Sequence, residues 1–168
     1  MVDKSNFTVE NSFYEDIIYT GEAERRLPVI LLNYWKKIKG ERKFPCENSI
    51  NPDELKDIWE YCYLIQVNDL QNRLKVDFTF LGSEIVKAYE QYLGDDKDLI
   101  DIISPQSSRL AQNFQIVINE MRPLLQSGKF QDGRENIINF RQCLLPIGNN
   151  DTKVDAIFGC TRLSFIAK

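Results

Sequence analysis

A chain of 168 residues, 43% apolar and 27% charged, can bury one core, is short for two full domains, and has neither a disordered nor a fibrous composition. Its net charge of −4, from 25 acids and 21 bases interspersed along the chain, argues against general nucleic-acid binding, which needs a basic face to neutralise phosphates. Histidine is absent, which removes the commonest general base, metal ligand and haem ligand together.

Residues 1–21 mix polar and aromatic side chains without a sustained period, Phe13, Ile17 and Ile18 offering one short apolar face, and are expected to form a flexible arm. The first six residues lack the basic-then-apolar order of a secretory signal. The apolar stretch from Leu27 to Leu32 falls far short of the roughly 20 residues of a spanning helix, so a cytoplasmic chain with no membrane span is expected.

Over 22–43 the pattern turns helical. Leu27, Ile30, Leu31, Tyr34, Trp35 and Ile38 recur at three- and four-residue spacing, and Gly40 stands as a stop behind Lys36, Lys37 and Lys39, where the helix dipole favours cations. The basic run continues through Arg42 and Lys43 and is read as a solvated helix end. This helix is expected to precede a main domain over 44–168. Leu27, Ile30, Leu31, Tyr34 and Trp35 offer more apolar surface than one domain edge usually covers, which predicts a homodimer or a signalling-protein interface.

Asn51-Pro52-Asp53-Glu54-Leu55 reads as a helix start, with Asn51 as cap, proline at the first helical position and acids in the first turn, running to about Trp59. Tyr61, Tyr63, Ile65 and Val67 then alternate with Cys62, Leu64 and Gln66, and Leu74, Val76, Phe78 and Phe80 repeat the pattern after a polar turn, predicting two antiparallel strands. Ser83 is a candidate cap for a helix carrying Ile85, Val86 and Tyr89, and Leu99, Ile102 and Ile103 anchor a loop over 95–104. The longest helix is expected to start near Pro105 and carry Leu110, Phe114, Val117 or Ile118, Met121 and Leu125 as one stripe, interrupted only near its end by Pro123. Lys129 to Gln131 forms at most a short strand. Two long strands close the chain, joined by a hairpin at Gly148-Asn149-Asn150-Asp151.

This order gives an α+β fold, a five-stranded antiparallel sheet with helices on one face, preceded by the N-terminal helix. Trp35, Pro45, Pro52, Gly82, Pro123 and Leu144-Leu145-Pro146, in that order and spacing, resemble the PAS domain family, in particular the single-domain type common in alphaproteobacteria, over residues 27 to 166. The resemblance implies a sensor or adaptor module that holds small ligands between sheet and helices and signals through protein contacts. It departs from the family at the irregular segment 128–135, where the third strand is expected.

The inward-facing candidates for a pocket are Phe78, Phe80, Phe114, Met121, Phe140 and Phe158, with Tyr63, Asn139 and Gln142 as orienting polar groups. Aromatics at this spacing are first of all core residues. Cys46, Cys62, Cys143 and Cys160 are too scattered for a zinc site, and three lie in strand-like runs where thiols behave as small hydrophobes. No catalytic residue, metal site or cofactor is predicted. Haem is disfavoured by the missing histidine, and the resemblance disfavours flavin photochemistry, since the light-sensing PAS relatives carry their cysteine in an Asn-Cys-Arg-Phe-Leu context whereas Phe140-Arg141-Gln142-Cys143-Leu144 has similar letters in another order and on another strand. The expected activity is non-catalytic, with a small apolar ligand as modulator; a constitutive adaptor with a solid core is the alternative, and a small enzyme using carboxylates or cysteines alone is the third reading.

Overall fold

A computed structural model of the chain describes residues 8–13, 26–70, 73–87, 107–131 and 137–166. Six strands form one antiparallel sheet: β1 (Thr8–Phe13), β2 (Cys62–Leu70), β3 (Arg73–Leu81), β4 (Leu124–Gln131), β5 (Ile137–Ile147) and β6 (Ala156–Ile166), in the order β1-β4-β5-β6-β2-β3. Its helices include α1 (Leu27–Lys39) and α2 (Ser107–Glu120). The five expected strands are β2 to β6. The sixth, β1, comes from the stretch expected to be a flexible arm and runs antiparallel to β4 from Thr8 opposite Lys129 to Phe13 opposite Leu124. Pairing satisfies edge N–H and C=O groups of β4 that water would otherwise have to solvate, which a polar six-residue segment can do without a strong apolar period. The rest of that arm, and the helix and loop expected over 88–106, lie outside the described residues.

α1 starts at Leu27 with Pro28 in its first turn and ends at Gly40, whose φ of 56° suits a residue without Cβ. It is part of the domain core. Leu31 and Leu32 are fully buried, Trp35 is 2% exposed, and the Trp35 indole Nε1 donates to the Pro146 carbonyl of β5 at 2.9 Å. Leu27 and Tyr34 are buried as well, and only Ile30 is half-buried. The surplus apolar face on which the interface expectation rested is thus covered by the chain itself, because α1 lies across β5 and β6.

The segment behind α1 forms three single 3-10 turns, Glu47–Ser49, Pro52–Leu55 and Trp59–Tyr61, in place of one helix. The Asn51 side chain caps the second by accepting from Asp53 N at 3.1 Å. Tyr34 ties this segment to α1, its hydroxyl accepting from Asn51 N at 2.7 Å, and Lys37 pairs with Glu54 at 2.7 Å. After β3 a helical turn over 83–87 uses the Gly82 carbonyl for its first bonds, so Gly82 holds the cap position expected for Ser83.

α2 is shorter than its apolar stripe. Met121 adopts φ 52° while its N–H still reaches the Val117 carbonyl, and the chain turns out of the helix before Pro123. Leu125 therefore belongs to β4, a full eight-residue strand where an irregular segment was expected. β5 and β6 are joined over 148–155, with Asn150 bridged to Lys153.

Candidate functional site

Strand register divides the central residues between two faces, since paired residues of neighbouring strands share a side and successive residues alternate. Tyr63, Gly159, Leu144 and Leu124 form one row, and Thr161, Gln142 and Gln126 lie two residues along on the same face. This is the face beneath α2, because Asn113 Nδ2 donates to Gln126 Oε1 at 2.9 Å. On the opposite, outer face run Cys62, Cys160 and Cys143 in one row and Leu64, Phe158 and Leu145 in the next. The 3-10 segment covers that face: Trp59 stacks on Phe80 with ring centroids 4.4 Å apart and meets Phe158 at 6.2 Å, and the Cys62 thiol bonds the Ile58 carbonyl at 3.3 Å.

The inner face carries a chain of polar groups inside an apolar layer. Gln126 and Gln142, 4% and 8% exposed, stand directly opposite each other, and Gln142 Nε2 donates to Gln126 Oε1. Thr161 Oγ1 sits 3.4 Å from Gln142 Oε1 and 3.3 Å from Tyr63 Oη. The Thr161 hydroxyl is the donor to both, its single proton shared between the Tyr63 phenol oxygen and the Gln142 carbonyl oxygen. Leu124, Leu144, Ile65 and Ile157 flank the network, and Phe114 and Val117 of α2 are buried above β5. Buried amides are tolerated only when bonded, so this chain of bonds fixes the glutamine orientations.

The predicted pocket residues separate accordingly. Tyr63, Phe140 and Gln142 share the inner face with α2, which brings Phe114; Phe78 joins them, edge-on to Tyr63 at 6.3 Å. Phe80 and Phe158 do not: they lie on the outer face under Trp59. The reason is an irregularity in the β2–β3 register between Leu64 and Ile65, which pairs Leu64 with Phe80 but Ile65 with Phe78, so residues two apart point to opposite sides. Asn139 pairs with Lys129 and Ser164 and faces outward, alternate to Phe140. Met121 is half-buried at the end of α2 and is not a member of its stripe. Asn113, Gln126 and Thr161 were missed. Their signal was the position of each glutamine two residues from a core leucine in its strand, Leu124 and Leu144.

The cysteines stand apart from this site. Burial pushes the Cys62 thiol up to about 12 and holds Cys143 and Cys160 well above the ordinary thiol value, so these three are poor nucleophiles. Cys143 faces outward and does not reach the inner network. Cys46 is different: its Sγ lies 3.1 Å from Ser49 Oγ, and that bond, helped by Arg42, lowers its pKa. Among the described residues no group of three Cys, Asp or Glu side chains is placed to hold a metal, and no helix is long and apolar enough to cross a membrane.

The strand order, the helix over the inner face and the tryptophan-bearing helix packed behind the sheet define an α+β sensor-type domain. The family model for the PAS domain matches residues 26–162, and the chain belongs to that family of sensory and regulatory modules. The match begins at Arg26, one residue before α1, and so takes in the tryptophan-bearing helix. Neither a comparison with curated proteins nor one with solved structures returns a match.

Proposed function

We propose that this chain is a non-catalytic PAS module that takes up a small, mostly apolar ligand over the inner face of its sheet and transmits its presence through protein contacts. The observation that carries the reading is the bonded chain Asn113–Gln126–Gln142–Thr161–Tyr63, in which Gln126, Gln142 and Tyr63 are buried. Ligand sites in folds of this size combine an apolar lining with a few oriented polar groups, and a glutamine pair bordered by Phe114, Phe140 and Phe78 supplies both. The amide edges would recognise a ligand carrying one donor and one acceptor. A ligand shifts the module between states only through different affinity for them, and polar groups held by bonds that can be exchanged give such a difference. Haem and flavin are not proposed as the ligand, and no reaction is assigned.

The alternative, a constitutive adaptor with a solid core, draws on the same network, since these amides are bonded within the chain. Native mass spectrometry and thermal shift on the purified protein, with and without a small-molecule extract, separate the two. A bound mass or a stabilisation that is lost in Gln142→Leu supports the ligand reading. A bare protein, unmoved by any extract fraction, leaves the adaptor.

A further inference from the structure

The outer face of the sheet has two halves. The first, over Leu145, Phe158 and the cysteine row, is buried. One row beyond the cysteines the register sets Arg141 of β5 directly opposite Arg162 of β6, with Ser127 of β4 on the other flank of Arg141. Both arginines are exposed, and neither side chain bonds or pairs with a described residue. The following row on the same face holds Lys129, Asn139 and Ser164, and the next holds Ile137, which at 43% exposure is the exposed large apolar side chain among the described residues. Like charges directly opposite one another on adjacent strands destabilise a sheet. Here they face each other in a chain whose net charge is −4, and the acid the register sets in their row, Glu10 of β1, stands beyond Ser127, two strands from Arg141.

We propose that this half of the outer face docks an acidic segment of a partner protein, its carboxylates bridging Arg141 and Arg162 and reaching Lys129, with an apolar side chain laid on Ile137. The planar guanidinium fork takes a carboxylate through two parallel hydrogen bonds, and two such forks side by side suit a run of acids. The open sheet face and its apolar residue fit a polypeptide. Nucleic acid is the poorer fit, because three cations in an acidic domain neutralise too few phosphates. This inference rests on the protein-contact part of the function proposed above and names its surface and the charge of the partner.

The probe is a fluorescein-labelled peptide of alternating Glu and Leu, titrated at low salt and followed by anisotropy. Arg141→Gln/Arg162→Gln should weaken binding by about tenfold or more, as loss of complementary charge does, whereas Lys37→Gln/Lys43→Gln on the far basic run should leave it unchanged. Arg162→Glu turns the like pair into an opposite one, so it should raise Tm while abolishing binding, which excludes misfolding as the cause. Unaltered binding by the double arginine variant, a lowered Tm in Arg162→Glu, or duplex DNA outcompeting the peptide would each overturn the proposal. These outcomes are independent of the extract experiment, whose failure removes the ligand and leaves this surface in place.

Discussion

Phe78 and Phe80 stand two positions apart in β3 yet face opposite sides of the sheet, because the β2–β3 register shifts between Leu64 and Ile65. Phe80 closes the outer layer against Trp59 at 4.4 Å, while Phe78 borders the inner network beside Tyr63. The two should therefore respond differently to truncation. Phe80→Ala is expected to lower stability by about 2–3 kcal/mol, somewhat below the cost of a fully buried phenylalanine, and to leave ligand binding alone. Phe78→Ala should act chiefly on ligand affinity. Urea unfolding together with thermal shift on both variants checks this, and identical profiles would contradict the split.

Gln126 accepts from both Asn113 and Gln142, so its loss strands two donors, one of them on a side chain 8% exposed. Gln126→Leu alone should cost about 1–3 kcal/mol from unsatisfied amide groups. Gln126→Leu/Gln142→Leu removes a donor along with its acceptor, and should cost less than the two single changes added together by about 1 kcal/mol. Strict additivity in a double-mutant cycle would show that the two amides are not coupled.

Much of this frame could be read from residue order because the cues are local. Asn51-Pro52 marks its cap, Gly40 ends α1, and alternation locates β2 and β3 to within a few residues. What could not be read depends on partners distant in sequence. A bulge shifts Phe78 against Phe80 without altering the apolar pattern. The left-handed turn at Met121 carries no mark at a methionine, and Pro123 is compatible with a kink as much as a stop. The fate of the α1 stripe turns on β5, more than a hundred residues away, through the bond from Trp35 to Pro146. Gln126 and Gln142 are of a residue type usually exposed, and only strand register reveals that each faces the other in the interior.

The cysteine row predicts how stability falls in alkali. Cys62, Cys143 and Cys160 have folded-state pKa values raised by burial, Cys62 to about 12, above the unfolded thiol value of about 8.5. Their contribution is fully present below that unfolded value and is lost as pH rises through the window from there toward 12, since the unfolded chain then releases protons the folded one keeps. The slope is about 1.4 kcal/mol per pH unit for each thiol. Replacing Cys62 by Ala should flatten it by about that amount in urea titrations between pH 9 and 10. In the native protein Cys46 alone, with its pKa lowered by Ser49 and Arg42, should react quickly with a thiol reagent, and the other described cysteines only after unfolding.

Gly159 sits where the Tyr63 ring crosses β6 to reach Thr161. A Cβ at that position would run into Tyr63 Cε2 and lie 2.7 Å from the Tyr63 hydroxyl oxygen, inside any tolerable contact, so the ring must swing away and release its bond to Thr161. Gly159→Ala should therefore destabilise by about 1–3 kcal/mol, the usual cost of overpacking, and should weaken any ligand that reads the inner network. The decisive comparison pairs it with Tyr63→Leu, which removes the phenol and vacates the space above the glycine. In that background Gly159→Ala should cost much less, because the added methyl group no longer displaces an aromatic ring. An undiminished penalty in the double variant, measured by urea unfolding, would place the strain in the β6 backbone and detach Gly159 from the site.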